Sequence, residues 1–383
     1  MIYFDHAAST PVDNEIINLM VHTMQFHFAN PSSSHVLGKA ASNFIEKSRA
    51  NIAALFQYPT ETIHFCHSAT IAANILLQGY CGSLTRSNSP HNEIIISEIE
   101  HLAVAKTCEF LKTKGFKIHF AKVDSNGQVD LAHFKSLLND HTAIVSIMAV
   151  NNEIGAIQDI ASIGTIIKQF NPDIFFVCDF VQGIGKIPAS ELTSVDAWFI
   201  AGHKIGTPVG IACFYLNPQF RLTPILFGGG QESGLFPGTS DPVMPEILNL
   251  CIQKMMRASK DHMQHFQHLR QYFLEQLKNH QIEFILTIPE FFSVPNIISI
   301  SFHGIKSNHL ASQLEQENIF VSTRSACSSF CSDDSHVVKA IQLKRSLKLS
   351  PIRISFSHHN TVSEIDRMIQ QLCKVLKHAE EVY

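Results

Sequence analysis

Short apolar, β-rich runs alternate with segments of helical periodicity between residues 62 and 216. Seven of these runs predict strands: TIHFCHS, NEIIISEIE, KIHFAKV, AIVSIMAV, IFFVCDF, DAWFIAG and GIACFYL. Alternation of this kind is typical of βαβ units, so we expect an α/β fold with a mainly parallel seven-stranded sheet flanked by helices. Ligands of such sheets bind beyond the carboxyl ends of the strands.

The pattern changes after residue 255. One long helical pattern without Gly or Pro runs from 255 to 280 and is a plausible bridge between domains. The runs NIISISF, IFVST and IRISF, followed by an amphipathic helix from about Ser363, predict a smaller α+β domain. We therefore expect a large domain over 13–255 and a small domain over 1–12 and 256–383, although the pattern alone does not place the first dozen residues.

Length and charge narrow the class of protein. A chain of 383 residues exceeds one simple core, which agrees with a large and a smaller domain. With 29 Lys and Arg against 33 Asp and Glu, the formal net charge is -4. This balance gives no reason to expect a nucleic-acid or membrane surface as a partner.

The lack of a recognisable targeting signal and the spacing of the cysteines favour a cytoplasmic protein. No apolar run approaches the roughly 20 residues that span a bilayer, and the start MIYFDHAASTPVD lacks the pattern of a signal peptide. The nine cysteines show no C-x-x-C spacing. We expect most of them to be small buried hydrophobes and neither disulfides nor zinc ligands.

Polar residues follow the predicted strands of the large domain. The run SAT at 68–70 offers backbone N–H groups and a hydroxyl that could hold a phosphate, or it simply caps the next helix. His101 follows the next strand and is either functional or structural. A strongly apolar strand ends in the polar residues Asn151, Asn152 and Glu153.

Asp179 and Lys204 also stand at strand ends. Asp179, with Gln182 three residues on, either caps a helix or holds a pyridinium nitrogen protonated. Lys204, in WFIAGHKIGTPVG, either reaches the surface with its stem packed on apolar neighbours or forms a Schiff base with a carbonyl cofactor, which burial favours by lowering the pKa of the amine.

Taken together, the residues at the strand ends favour the functional alternatives over the structural ones. A pyridoxal phosphate ring needs a phosphate cradle, a stacking group, a donor at the ring hydroxyl, an acid at the ring nitrogen and a lysine. Consecutive strand ends of this sequence supply all five. Lys204 is therefore interpreted as the Schiff-base lysine.

The small domain contributes a Ser- and Cys-rich run and a strand arginine. In FVSTRSACSSFCSDD, Cys327 lies among small polar residues, which favours an exposed, mobile thiol over a core cysteine. Cys331 is either its neighbour in function or a bystander. Arg353, in SPIRISFS, suits bidentate capture of an amino-acid carboxylate or is an ordinary strand arginine facing solvent.

These residues, in this order, resemble the cysteine desulfurases, pyridoxal-phosphate enzymes of the class V aminotransferase group that feed iron–sulfur cluster assembly. The resemblance runs nearly end to end. Its segments are FDHAASTPVD, NPSSSH, EHLAV, SIMAVNNEIGAIQDI, VCDFVQGIGKIP, AGHKI, FGGGQE, GT, RSACSS and SPIRISF. The run VNNEIGAIQDI followed later by GHK and SAC is highly specific.

The resemblance implies the type I fold of pyridoxal-phosphate enzymes, with the cofactor in the large domain of a homodimer and the sites at the subunit interface. The implied reaction converts L-cysteine to L-alanine. Cys327 would take the sulfur as a persulfide and pass it to an acceptor such as an iron–sulfur scaffold protein, and Arg353 would bind the substrate carboxylate.

The resemblance also implies roles around the cofactor. Lys204 would attach pyridoxal phosphate, His101 would stack on its ring and assist proton transfer, and Asp179 would pair with the ring nitrogen. The remaining implied contacts are Asn152 and Gln182 near the ring hydroxyl and substrate, Ala69, Thr70 and His203 at the phosphate, and Thr239 reaching the phosphate from the other subunit.

The chain departs from the family pattern at several positions. The departures are His67, Ser68 and Ile71 in the phosphate turn, Ala201 in place of a phosphate-facing serine, and Ser233 and Phe236 in place of arginines. The long run after SAC is typical of the housekeeping branch, whereas the C-terminal extension that docks a scaffold is expected to be absent. Two alternatives stay open: another class V enzyme, such as an aminotransferase or selenocysteine lyase, and a sulfur-relay or regulatory paralogue of low activity.

Overall fold

The computed structural model describes residues 1–323, 335–341 and 350–382 of the chain. Its strands and helices alternate through the first 216 residues, as the apolar pattern predicts. The strands are β1 (Ile2–Tyr3), β2 (Ile63–Cys66), β3 (Glu93–Ser97), β4 (Lys117–Ala121), β5 (Thr142–Ser146), β6 (Phe175–Asp179), β7 (Ala197–Ala201), β8 (Ala212–Leu216), β9 (Phe284–Leu286), β10 (Ile297–Phe302), β11 (Ile319–Phe320) and β12 (Ile352–Ser355).

Helices cover the sheets and connect the strands. They are α1 (Asn14–Phe26), α2 (Val36–Phe56), α3 (Ala69–Arg86), α4 (Leu102–Lys112), α5 (Leu131–Leu137), α6 (Ile160–Phe170), α7 (Met244–Arg257), α8 (Ser259–Asn279), α9 (Ser307–Gln316), α10 (His336–Ala340) and α11 (Val362–Val382). Within the described ranges, none of these helices combines the length and apolarity needed to cross a membrane.

A seven-stranded sheet with the order β2-β8-β7-β6-β5-β3-β4 lies at the centre of the fold. Only β8 runs antiparallel to both of its neighbours. The sheet is therefore mainly parallel, and the predicted fold class is confirmed. Because six of its strands share one direction, their carboxyl ends form a common edge, where ligands of such sheets bind.

Both faces of this sheet are buried, and alternate residues along each strand enter different cores. Val145 and Trp198 pack on one face, whereas Ile144 and Phe199 pack on the other. This follows from the two-residue period of a strand. It also explains why the strands read as continuous apolar runs rather than as alternating ones.

Two smaller sheets lie apart from the central one. One is three-stranded, with the order β12-β10-β9, and the other pairs β1 with β11. A third core, which includes Phe4, Phe273, Ile300 and Ile354, packs between these strands and the helices α8 and α11. The backbone of Phe4 accepts a hydrogen bond from the Ser355 N–H at 2.7 Å, so the first residues of the chain pack with the last strand. The domain boundaries at residues 12 and 255 stay a prediction.

The single helix expected from 255 to 280 is two helices in the structure. α7 ends at Arg257 and α8 begins at Ser259, with Ala258 between them. No Gly or Pro causes this break. Ile252 of α7 packs in a core of the central sheet, whereas Phe266 of α8 packs in the third core, so each helix follows its own core.

Candidate active site

Lys204 lies in a tight turn directly after β7. The turn 202–204 has 3₁₀ geometry, and it closes only because Gly202 has no side chain: a Cβ there would lie 2.3 Å from Oγ1 of Thr207. The Nζ atom of Lys204 donates hydrogen bonds to the backbone oxygens of Ala7 at 2.9 Å and Ala8 at 2.7 Å. The lysine is thus directed at the N-terminal segment and not at solvent. This argues against the alternative in which Lys204 reaches the surface of the protein.

Asp179 is the last residue of β6, and its carboxyl group is buried. Its Oδ1 accepts a hydrogen bond from the Val181 N–H at 3.0 Å. Burial raises the pKa of Asp179 to about 6, while the Val181 N–H and the nearby Lys204 ammonium oppose that rise. Asp179 is therefore mostly ionised above pH 6 and has the charge needed to hold a cationic ring nitrogen.

His101 and His203 flank Lys204. Burial and, to a smaller extent, the Lys204 charge together lower the pKa of each imidazole to about 4. Nδ1 of His101, at the N-terminus of α4, accepts a hydrogen bond from the Ala103 N–H at 3.0 Å. A neutral ring that accepts at Nδ1 carries its proton on Nε2. Both rings are therefore neutral near pH 7. A neutral ring does not repel the charge of the neighbouring lysine, so it can serve as a stacking group.

Gln182 is buried between two partners. Its Nε2 donates to the backbone oxygen of Ala7 at 2.9 Å, and its Oε1 accepts from Nζ of Lys186 at 2.8 Å. Burial lowers the pKa of Lys186 to about 7, and the charges of Lys204 and Arg353 add to that shift. The sequence analysis did not identify Lys186. Its spacing of four residues from Gln182 is the only signal of the pairing in the sequence.

The N-terminus of α3 follows β2 at one end of the central sheet. Ser68 is the N-cap, and its Oγ accepts a hydrogen bond from the Ile71 N–H at 3.2 Å. Ser68 thus caps the helix, which is the simpler of the two interpretations given for SAT in the sequence. The N–H groups of Ala69 and Thr70 belong to the first turn and have no acceptor within the helix, so they can bind an anion.

Arg353 is buried in β12 and does not face solvent. One of its terminal nitrogens donates to the backbone oxygen of Asn152 at 2.7 Å, and the other lies 2.5 Å from Oδ1 of Asp5. Among the contacts of the described residues, Nε of Arg353 has no partner. A guanidinium has five N–H donors, so Arg353 keeps capacity for a carboxylate.

Cys327 and Cys331 lie outside the described residues, but the chain on both sides of them is placed. Before them, Ser322 exchanges two backbone hydrogen bonds with Arg353, at 2.6 and 3.1 Å. After them, Oγ of Ser335 donates to Oε2 of Glu153 at 2.6 Å. Ser322 and Ser335, which flank the undescribed residues in the sequence, therefore both lie beside the candidate site.

Thr239 is exposed, in a loop that follows a 3₁₀ turn (Gln231–Gly234). Glu232 anchors this loop, because its carboxylate accepts hydrogen bonds from Arg49 at 2.7 and 2.8 Å and from the Phe65 N–H at 2.8 Å. No contact between described residues joins Thr239 to Lys204. Its predicted role at the phosphate of the other subunit stays a prediction.

Glu100, next to His101, is a second group that sequence reasoning missed. Its Oε1 accepts hydrogen bonds from Oγ of Ser97 at 2.5 Å and from the Met148 N–H at 2.9 Å. Burial raises the pKa of Glu100 to about 8, and the charge of Asp179 adds to that rise. Glu100 is therefore mostly protonated at pH 7, a state that its sequence context EIEH does not reveal.

Comparison with known proteins identifies the family of the chain. Residues 2–368 match the family described as Aminotransferase class-V. A protein of Dictyoglomus turgidum named cysteine desulfurase IscS is 31% identical over 381 residues, which cover 98% of this chain and 94% of that protein. A protein of Rickettsia prowazekii with the same name is 32% identical over 376 residues, covering 97% and 90%.

Solved structures give the same class of fold. A structure described as a NifS-like protein superimposes with a TM-score of 0.91 at 31% identity, covering 98% of this chain and 99% of that one. The chain belongs to the class V aminotransferase family. The expected resemblance to cysteine desulfurases and the type I fold are thereby confirmed.

Proposed function

We propose that this protein is a pyridoxal-phosphate-dependent cysteine desulfurase. It converts L-cysteine to L-alanine and holds the sulfur as a persulfide on Cys327. Support comes from the named relatives, which align over nearly the whole chain, and from the groups that gather around Lys204.

The described side chains fit pyridoxal phosphate. A lysine at a strand end, a buried carboxylate whose pKa is about 6 and free helix N-terminal amides are the donor set that its aldehyde, ring nitrogen and phosphate require. When bound, the cofactor supplies an electron sink that weakens the bond between the substrate and its sulfur. We assign attachment to Lys204, the ring nitrogen to Asp179, and the phosphate to Ala69, Thr70 and His203.

Three further residues complete the proposed chemistry. His101 is neutral and uses Nδ1 to accept the Ala103 N–H, so Nε2 is its nitrogen for proton transfer. The amide of Gln182 donates near the ring hydroxyl. Arg353, beside Asn152, binds the carboxylate of cysteine with its remaining N–H donors.

The observation that carries the proposal is that Ser322 and Ser335, described residues on either side of Cys327 in the sequence, both contact residues of the candidate site. Ser322 pairs with the backbone of Arg353, and Ser335 donates a hydrogen bond to Glu153. In the sequence, Cys327 is five residues beyond Ser322 and eight residues before Ser335. An aminotransferase has no need of a thiol at this place in the sequence.

The described cysteines are poor candidates for the sulfur acceptor. Six of the seven are buried and one, Cys373, is partly buried. Burial raises the pKa of Cys66 and Cys251 to about 12 and holds that of Cys178 well above its usual value. A thiol must ionise to attack sulfur, so these groups are unreactive near pH 7.

We further propose that the enzyme is a homodimer that works in the cytoplasm and passes its sulfur to an acceptor such as an iron–sulfur scaffold protein. The homodimer agrees with the exposed position of Thr239 and with Phe227, which is 89% exposed in the same loop region. Covering such apolar surface is a common role of a subunit interface.

The deciding experiment measures sulfide and alanine formed from L-cysteine, with and without a thiol reductant. With the reductant, the wild type should form both in equal amounts, because the reductant releases the persulfide sulfur as sulfide. Cys327→Ser should lose sulfide release by at least about a hundredfold because the nucleophile is gone. Cys331→Ser is the matched control and should stay near wild type. Undiminished sulfide release by Cys327→Ser, or loss only in Cys331→Ser, would contradict the assignment of Cys327.

A further inference from the structure

A cluster of one carboxylate and two imidazoles lies where α1 meets the turn between β12 and α11. The ligand atoms of Asp13, His358 and His359 all lie within 4.8 Å of one another. Nε2 of His359 is 2.9 Å from Oδ1 of Asp13, and the rings of His358 and His359 are 3.9 Å apart. We propose that these three residues bind one divalent transition-metal ion of the zinc, nickel and copper group.

The donor set selects that group of metals. Two imidazole nitrogens and one carboxylate oxygen match the three protein ligands of open zinc sites, and imidazole also suits nickel and copper. Calcium and magnesium prefer sites made of oxygen ligands. The cluster therefore discriminates against the abundant alkaline-earth ions by its chemistry.

The carboxylate of Asp13 is directed toward the histidines and not at its own helix. Asp13 occupies the N-cap position of α1, where an aspartate usually accepts a hydrogen bond from the helix backbone, yet its side chain makes no capping bond. Lys254 lies 3.8 Å from Oδ2 of Asp13, and it also pairs with Glu15. Oδ1, on the side of His359, is thus free of that lysine and can bind a metal.

The two histidines are held in a fixed turn. The Ser357 N–H donates to Oδ1 of Asn360 at 2.8 Å, and the Asn360 N–H donates back to the Ser357 oxygen at 3.2 Å. Nδ2 of Asn360 donates to the backbone oxygen of Tyr3 at 3.2 Å, which ties the turn to the N-terminal strand. A turn fixed in this way presents His358 and His359 without a large loss of conformational entropy on binding.

The site is accessible and borders a cavity. His358 and His359 are both exposed, and a cavity of about 420 Å³ is lined by Asp13 and His358 together with His262 and Lys204. The ring of His262 stacks on that of His358 at 4.8 Å, and its buried Nδ1 has no hydrogen-bond partner among the described residues. Water from the open side can complete the coordination, as in zinc sites with three protein ligands.

Binding would join parts of the chain that are far apart in sequence. Asp13 follows the segment whose Ala7 and Ala8 oxygens accept hydrogen bonds from Lys204, whereas the histidines follow β12. A metal between them would add a cross-link to the native state that the unfolded chain lacks. We therefore expect the metal to stabilise the fold.

The test is a titration of the untagged, cofactor-loaded protein with Zn²⁺, followed by calorimetry and by thermal melting. All variants carry Cys327→Ser and Cys331→Ser, so that these thiols do not bind zinc. The parent should bind one equivalent per chain and melt at a higher temperature with zinc. His359→Ala, His358→Ala and Asp13→Asn should each weaken binding by at least tenfold, since even an outer partner of a metal ligand contributes about 10–100-fold. Ca²⁺ should leave the melting temperature unchanged.

His280→Ala, at the exposed end of α8, is the matched control and should bind zinc like the parent. Melting curves without metal show whether each variant folds. X-ray absorption at the zinc edge of the loaded parent should report nitrogen and oxygen ligands only. Absence of saturable binding, affinities unchanged in all three variants, or sulfur ligands in the absorption spectrum would overturn the proposal. The outcome does not depend on the desulfurase assignment, because no step of the assay uses cysteine.

Discussion

Nζ of Lys186 donates a hydrogen bond to Oε1 of Gln182 at 2.8 Å, and this contact fixes which way the amide of Gln182 points. With Oε1 occupied, Nε2 is turned to the backbone oxygen of Ala7, which also accepts from Lys204. We therefore expect Lys186 to act on the candidate site through Gln182. Gly185, with φ of +70°, lies in the turn that brings the lysine back to the glutamine.

We expect Lys186→Met to lower kcat/KM for cysteine by about 5- to 30-fold, because losing one hydrogen bond to a positioned group is worth about 1–2 kcal/mol. Steady-state kinetics measure the loss. Lys260→Met, on the exposed side of α8, is the control and should change little.

A double-mutant cycle identifies the route of the effect. If Lys186 acts by positioning Gln182, Lys186→Met should have almost no further effect on activity in a Gln182→Ala background. Fully additive losses would show that Lys186 acts independently of Gln182.

Lys204→Ala should abolish covalent attachment of pyridoxal phosphate, because the amine that faces Ala7 and Ala8 is removed. Borohydride reduction followed by peptide mass spectrometry measures the attachment. The wild type should carry the cofactor on the peptide that contains Lys204, and Lys186→Met should retain it there. Cofactor reduced onto Lys186 in the wild type would show that the wrong lysine has been assigned.

Glu100→Gln should remove a pH-dependent loss of stability. The folded protein keeps the proton on Glu100 up to about pH 8, whereas the unfolded chain releases it near the ordinary value of 4.5. Between these values the folded state binds more protons, so the free energy of unfolding falls as pH rises. By pH 7 the difference reaches about 3 kcal/mol.

Denaturant unfolding of wild type and Glu100→Gln at pH 5, 6, 7 and 8 checks this expectation. Glutamine keeps an oxygen acceptor for Ser97 and Met148, so the variant should gain stability relative to wild type as pH rises. Glu98→Gln, in the same turn, serves as the control. A stability difference that stays constant from pH 5 to 8 would mean that Glu100 is ionised in the folded protein.

The local pattern of the sequence was sufficient to predict the sheet and to place several candidate site residues at its strand ends. Strand β6 is a continuous apolar run, and the change from Cys178 to Asp179 marks its end. Burial of both sheet faces imposes such runs, and the common direction of the strands brings their ends together. The lysine turn after β7 could be found for the same reason.

Contacts between residues far apart in sequence were decided by the tertiary structure alone. Asp13 meets His359 across 346 positions, and Ser335 meets Glu153 across 182. No periodicity encodes such pairs, because hydrophobic patterning reports only which face of an element is buried. The protonation of Glu100 and the lowered pKa of Lys186 follow from the same cause: burial removes water from a charge, and how deeply a residue is buried depends on the elements that pack around it.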